Sequence, residues 1–186
     1  MQRIVPAILT KDPGELQRQL TLLKEQTKWV QIDIMDGKFV PNISINLAEL
    51  GEAFQFFNLE IHLMVKDPEN YLEDCKAAGA KRVYFHLEGT KDAAKTLSLM
   101  EQYQFQRGVA LNPETKTEKI ASFAQSMDAL LFMSIVPGAQ GRAFMPEVLE
   151  KILESKALHE KLLVGTDGGT REGNIQDIFA KGADYV

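Results

Sequence analysis

The chain has 186 residues, 45% of them apolar and 25% charged, with 26 acidic against 21 basic side chains and a formal net charge of −5. This composition excludes fibrous and disordered classes, and the length suffices for a full-sized core without disulfide or metal staples. The acidic balance and the lack of a Lys/Arg cluster leave no basic footprint for nucleic acid or an anionic membrane, so small-molecule partners are expected.

Cys75 is the only cysteine, which rules out an internal disulfide and fits a reducing compartment. Its spacing suits a small core residue on a helix. No run approaches the roughly 18 apolar residues of a membrane span, so a cytoplasmic location is expected.

In chain order, short apolar runs alternate with amphipathic stretches, the pattern of strand and helix units around a parallel sheet. The strands are expected at Ile4 to Leu9, Val30 to Met35, Leu59 to Val65, Arg82 to His86, Gly108 to Leu111, Ala129 to Ile135 and Leu162 to Thr166. Ala183 to Val186 reads as the start of an eighth. Between them, helices are expected near Asp12 to Gln26, Leu47 to Phe56, Pro68 to Ala78, Asp92 to Tyr103, Thr117 to Ala124, Glu147 to Leu158 and Arg171 to Ala180. Asp67 before Pro68 reads as an N-cap, and Gly79 and Gly182 as helix stops.

No linker interrupts the rhythm, so residues 1–186 read as one domain. The repeat number favours a closed (β/α)8 TIM barrel over an open doubly wound sheet, since no G-x-G-x-x-G follows the first strand. Such barrels usually need roughly 200 residues or more. The chain reaches Val186 inside the expected eighth strand, so that strand and its helix are expected to be missing or incomplete at the C-terminus.

In such a barrel the active site lies at the C-terminal ends of the strands. Alternation puts Gln31, Asp33 and Met35 on one face of the second strand, and Asp36 on the other face or in the turn. His62 and Met64 share a face of the third, and the seventh ends in Asp167 before Gly168 and Gly169. Two carboxylates and an imidazole at one mouth suit a divalent metal, with the carboxylates able to move protons beside it. The alternative is that the aspartates cap turns and His62 is a core histidine. His86 and Glu88 share a strand face and either extend the polar site or form a structural network. His159 reads as solvated. The loop Val136-Pro-Gly-Ala-Gln-Gly-Arg and the turn Asp167-Gly-Gly-Thr-Arg-Glu have glycines whose exposed backbone N–H groups would suit a phosphate.

Together these segments resemble the ribulose-phosphate 3-epimerase family. The likeness is carried in order by Pro6-Ala-Ile-Leu, Asp33-Ile-Met-Asp-Gly-Lys-Phe-Val-Pro-Asn, His62-Leu-Met-Val-Lys-Asp-Pro, Phe85-His-Leu-Glu, Leu111-Asn-Pro-Glu-Thr, Met133-Ser-Ile-Val-Pro-Gly and Asp167-Gly-Gly. The resemblance implies a ribulose-phosphate-binding barrel that inverts C3 of a ketose phosphate, converting D-ribulose 5-phosphate to D-xylulose 5-phosphate. It implies a divalent metal (Zn, Mn, Fe, Co or Mg) holding the enediolate oxygens, and two aspartates, here Asp33 and Asp167, as acid and base. Its metal ligands match Asp33, His62, Asp167 and the position of Gln31. Met35, Met64 and Met133 match methionines that wall the site, and Gly138, Gly141, Arg142, Gly168 and Gly169 fall at the substrate end.

The chain departs from the family pattern at several places. Gln31 stands for a usual histidine, and an amide oxygen favours Mn or Mg over Zn. Ala7 replaces a serine, Lys38 stands where histidine is common, and Gly138-Ala-Gln-Gly-Arg replaces a Gly-Phe-Gly-Gly-Gln loop, with Arg142 available as a phosphate contact. The family's last phosphate-binding turn lies beyond the eighth strand. The alternatives are an epimerase of a hexulose 6-phosphate, a catalytically silent phosphosugar-binding barrel, or a lyase or decarboxylase. The last lacks its expected Asp-x-Lys-x-x-Asp array. A homo-oligomer is compatible with the sequence.

Overall fold

The structure is a computed structural model that describes residues 3–157 and 161–186, apart from the side chain at position 54. Seven strands form one parallel sheet in sequential order. They are β1 (Ala7–Ile8), β2 (Trp29–Met35), β3 (Asn58–Met64), β4 (Ala80–His86), β5 (Gln106–Leu111), β6 (Ala129–Met133) and β7 (Leu163–Asp167). A parallel neighbour requires a crossover, and each crossover here lays helical segments on the outer face. The expected barrel-type repeat is therefore observed.

The two edges of the sheet are brought together by the last residues. Tyr185 bridges Gly165 of β7 on one side and Arg3, just before β1, on the other. Asp184 N–H donates to Val164 O at 2.7 Å, and Val5 N–H donates to Val186 O at 2.8 Å. Residues 184–186 thus have partners on both sides, where the start of an eighth strand is expected.

The helices are α1 (Pro13–Leu23), α2 (Leu72–Ala77), α3 (Ala93–Gln102), α4 (Val148–Lys156) and α5 (Ile175–Ala180). Asp12 caps α1 by accepting from Gly14 N–H and Glu15 N–H, and Asp92 caps α3 by accepting from Lys95 N–H. Three expected helices are instead wholly or partly 3-10 structure. Leu47 to Phe56 divides into two short 3-10 turns, Leu47–Leu50 and Ala53–Gln55, around Gly51, whose φ of 55° ends the first. Thr117–Ser126 is 3-10 throughout. Pro68–Tyr71 is a 3-10 turn that feeds α2, and Asp67 is not the expected cap: its φ is 50° and its side chain accepts no capping bond. The extended reading of the first strand is also corrected, since only Ala7 and Ile8 pair with β2. Residue 158, the expected end of the sixth helix, and His159 lie outside the described residues.

Apolar side chains separate into three clusters. The largest packs outward-facing strand residues such as Ile32, Ile61, Val83 and Phe85 against helix residues such as Leu16, Leu72, Leu97 and Ile152. A second, with Val5, Tyr84, Ala110, Ala129, Leu131 and Tyr185, packs together separately from that layer. Gly108 and Gly165 make room there, because a Cβ at either would meet the ring of Tyr84 or Tyr185. The third cluster, Met35, Val40 and Met64, with Leu9 and Phe39, lies at the C-terminal mouth.

Candidate active site

The strand register carries the site. β2 pairs with β3 so that Asp33 lies opposite His62 and Met35 opposite Met64, while β6 pairs with β7 so that Met133 lies opposite Asp167. Period-two alternation therefore points Gln31, Asp33 and Met35 to one side and brings His62 between the two aspartates. A cavity of about 540 Å³ opens there, lined by Gln31, Asp33, Met35, Met64, Met133 and Asp167 at one end. Gly138, Gly141, Gly168 and Gly169 line it elsewhere, together with Ala7 and Arg171.

His62 Nδ1 lies 3.1 Å from Asp33 Oδ1 and 3.1 Å from Asp167 Oδ2. The amide nitrogen of Gln31 donates to the same two carboxylates, at 2.9 Å to Asp33 Oδ1 and 2.7 Å to Asp167 Oδ2. Behind them His62 Nε2 meets His86 Nε2 at 2.9 Å. Glu88 follows: its Oε2 lies 3.4 Å from His86 Nδ1, and its Oε1 accepts from Asn112 N–H at 3.0 Å and from the Thr115 hydroxyl.

Burial and charge set the proton affinities. Burial, joined by the charge of Asp167, raises Asp33 above the usual carboxylate range. Asp167 is also opposed by burial, but hydrogen bonding and charge from His62, with the Gln31 amide, hold it below that range. Burial likewise opposes charge on His62, yet the bonds to Asp167 and Asp33 outweigh it and push the imidazole up to about 10. Two carboxylates whose environments drive their proton affinities apart are chemically able to serve as an acid and a base side by side.

Among the described residues, Asp33, His62 and Asp167 form the one group whose ligand atoms all lie close enough, within 4.8 Å of one another, to hold a metal ion. One buried and one partly buried carboxylate with a buried imidazole form a negative oxygen-and-nitrogen donor set, which fits a divalent cation in the place of the His62 Nδ1 proton. Gln31 touches this group through its amide nitrogen; only its oxygen has ligand character.

The glycine turns are built for close approach. Ser134 Oγ–H donates to Gly168 O at 2.6 Å and lies 3.0 Å from Asp167 O, which pins the turn after β7. Gly168 and Gly169 have φ of 101° and 66°, and a Cβ on Gly168 would strike Ile135. Asn42 Nδ2 donates to Gly138 O at 2.5 Å, tying the loop after β2 to the loop after β6. Arg142 is exposed and is not among the residues that line the cavity. The cationic side chain on the cavity wall is Arg171, with Glu172 beside it. Arg171 is expected at a helix start, whereas the helix begins only at Ile175. The loop 168–174 that frees Arg171 follows from two consecutive glycines, a signal that was present.

The fold and this cluster define a parallel βα barrel with two carboxylates and an imidazole, a group that could hold a cation, at its C-terminal mouth. The Ribulose-phosphate 3 epimerase family model matches residues 3–186, and the chain belongs to that family. It is 32% identical to the ribulose-phosphate 3-epimerase of Schizosaccharomyces pombe, over 99% of this chain and 83% of that protein. It is 31% identical to the Bacillus subtilis protein of the same name, over 100% of this chain and 89% of that one. Among solved structures, a mutant tryptophan synthase alpha-subunit from Pyrococcus furiosus superposes with a TM-score of 0.74 at 14% identity, covering 99% of this chain and 85% of that one. Mycobacterium tuberculosis tryptophan synthase gives 0.71 at 16% identity, over 100% and 81%. These two likenesses concern the fold alone. No described helix is long and apolar enough to cross a membrane.

Proposed function

We propose that the protein is an epimerase that inverts C3 of D-ribulose 5-phosphate to give D-xylulose 5-phosphate, with Asp33 and Asp167 as the acid–base pair. The observation that carries this reading is the placement of both carboxylates at 3.1 Å from the same His62 nitrogen, on the wall of one cavity. In the resting pair, the raised affinity of Asp33 and the lowered affinity of Asp167 leave one carboxyl able to give a proton and the other able to take one. The ionised partner removes the proton from C3, next to the ketone. The protonated partner returns one to the opposite face, and in the reverse direction the roles exchange.

Asp33, His62 and Asp167, with the Gln31 carbonyl if the amide turns over, are the residues that would hold a divalent cation. Such an ion, when bound, would supply electrostatic stabilisation to negative charge developing on the substrate oxygens. Met35, Met64 and Met133, each nearly fully buried, present apolar wall that keeps water from the deprotonated carbon. Gly138, Gly141, Gly168, Gly169 and Arg171 supply the phosphate end, where glycine lets backbone approach an anion closely and the guanidinium adds charge. Cytoplasmic operation follows from the substrate class and the single buried thiol.

The test is NMR of D-ribulose 5-phosphate in D2O with metal-stripped protein, then with Mn, Zn or Mg added. The expected result is deuterium entry at C3 together with appearance of xylulose 5-phosphate, dependent on the added ion. Saturable binding without exchange under any metal would overturn the epimerase reading in favour of a silent phosphosugar binder.

A further inference from the structure

We propose that His86 and Glu88 are positioning residues that keep the proton of His62 on Nε2, so that Nδ1 faces Asp33 and Asp167 as a ligand for a divalent cation. This rests on the cation-site reading above, and goes beyond it in assigning work to a buried pair outside the ligand set.

The argument is a count of protons along a buried chain. His62 and His86 are fully buried, and their Nε2 atoms face each other at 2.9 Å, so one must donate and the other accept. Glu88 decides which. Its Oε1 receives two donors, Asn112 N–H and the Thr115 hydroxyl, as an ionised carboxylate does. Its Oε2 and His86 Nδ1 are both buried, neither has a hydrogen-bond partner among the described residues, and they face each other 3.4 Å apart. A carboxylate oxygen only accepts, so the proton of His86 sits on Nδ1 and its Nε2 presents a lone pair. The facing nitrogen of His62 must then carry a hydrogen. The lone pair of a neutral His62 is left on Nδ1, 3.1 Å from both aspartates. Hydrogen bonds from His86, Thr115 and Asn112 overcome burial and hold Glu88 down to about 2, consistent with an ionised carboxylate. A histidine ligand whose far nitrogen donates to a fixed acceptor is held in orientation and made a better donor.

Glu88→Gln gives a sharp test because the replacement is nearly the same shape. The single amide oxygen of glutamine is claimed by Asn112 N–H and Thr115 O–H, which turns its NH2 toward His86 Nδ1. His86 then carries its proton on Nε2, and His62 must move its own to Nδ1, where it cannot bind a cation. Zn affinity of the metal-stripped full chain, read by competition with a chromophoric chelator, is expected to fall about 10- to 100-fold in E88Q with the circular dichroism unchanged. Glu88→Ala is expected to lose no more than E88Q. A purely structural role predicts the opposite order, since alanine leaves Asn112 and Thr115 without their acceptor.

His86→Gln supplies a second arm: its carbonyl accepts from His62 Nε2–H whatever stands at position 88, so E88Q costs less than about twofold in that background. A measurement without any variant is the long-range 1H–15N spectrum of His86, expected to show Nδ1 protonated and Nε2 bare. Zn affinity in E88Q within about twofold of wild type, the same loss in the His86→Gln background, or a His86 proton on Nε2 would each overturn the proposal. Failure of the wild-type protein to bind Zn, Mn or Mg would instead remove the cation-site reading on which it rests.

Discussion

Asp33 and Asp167 reach their different proton affinities through neighbours that lie far away in sequence. Asp33→Asn or Asp167→Asn is expected to lower C3 exchange by at least about 100-fold while leaving the circular dichroism unchanged, as removal of a general acid or base does. Near wild-type exchange in either variant would overturn the two-aspartate assignment. Glu88 gives a pH dependence with a definite sign. Its carboxyl is held at about 2 in the folded chain against 4.5 for the free side chain. The unfolded state therefore binds more protons between these values, so the contribution is fully present above about pH 4.5 and is lost as pH falls toward 2. Urea midpoints of wild type and E88Q should accordingly converge as the pH is lowered through this window. A constant gap would mean that Glu88 stabilises through packing alone. The sequence singled out Asp33, His62 and Asp167 because ionisable residues inside strand runs are costly to bury. It could not show that Gln31 donates to both carboxylates, since that contact spans 136 positions on the Asp167 side.

At the scale of elements, caps and strand alternation were legible and helix type was not. The α1 helix starts where Asp12 accepts two backbone donors ahead of Pro13, so Asp12→Ala is expected to cost about 1 kcal/mol in urea unfolding. An unchanged midpoint would show that the cap is replaced by solvent. Thr117–Ser126 has the apolar spacing of a helix, yet it winds as 3-10, with Thr117 Oγ1 bonded to Glu154 and buried Ile120 and Ala124 facing the core. Nothing local distinguishes that winding from an α turn, because the two share most of their preferred dihedrals. The strands have their own constraint at Gly165. Alanine there would drive a Cβ into the Tyr185 ring, and Gly165→Ala is expected to destabilise by about 1–3 kcal/mol. Retained stability would mean that Tyr185 can leave its place between β7 and the segment before β1.

At the scale of the molecule, a buried ion pair joins neighbouring strands. Glu60 Oε2 and Arg82 Nη1 lie 2.7 Å apart with almost no exposure, and the Arg82 guanidinium also lies over the rings of Trp29 and Tyr185. Burial raises Glu60 to about 7 even against the charge of Arg82. Arg82→Met strands a buried carboxylate and is expected to cost about 3–5 kcal/mol at pH 8, by chemical denaturation. Adding Glu60→Leu should restore much of that loss, and a loss that persists in the double variant would assign it to the guanidinium stacking on the rings instead. Neither residue stood out in the sequence. Glu60 reads as the polar start of a strand and Arg82 as its partner's, and only the register that sets Glu60 against Arg82 makes them a pair.

By itself the sequence determined the order of strands and helices, the faces on which Asp33, His62 and Met64 lie, and the motifs that place the chain in its family. These are local properties, fixed by period, by capping and by the fixed spacing within a strand. The tertiary structure decided that Arg171 and not Arg142 lines the cavity, that Tyr185 links β7 to the segment before β1, and that His86 and Glu88 stand behind His62. Each of these depends on curvature and register summed over several strands, and a loop's path or a proton's place in a buried chain is set by groups that meet only when the sheet has curled.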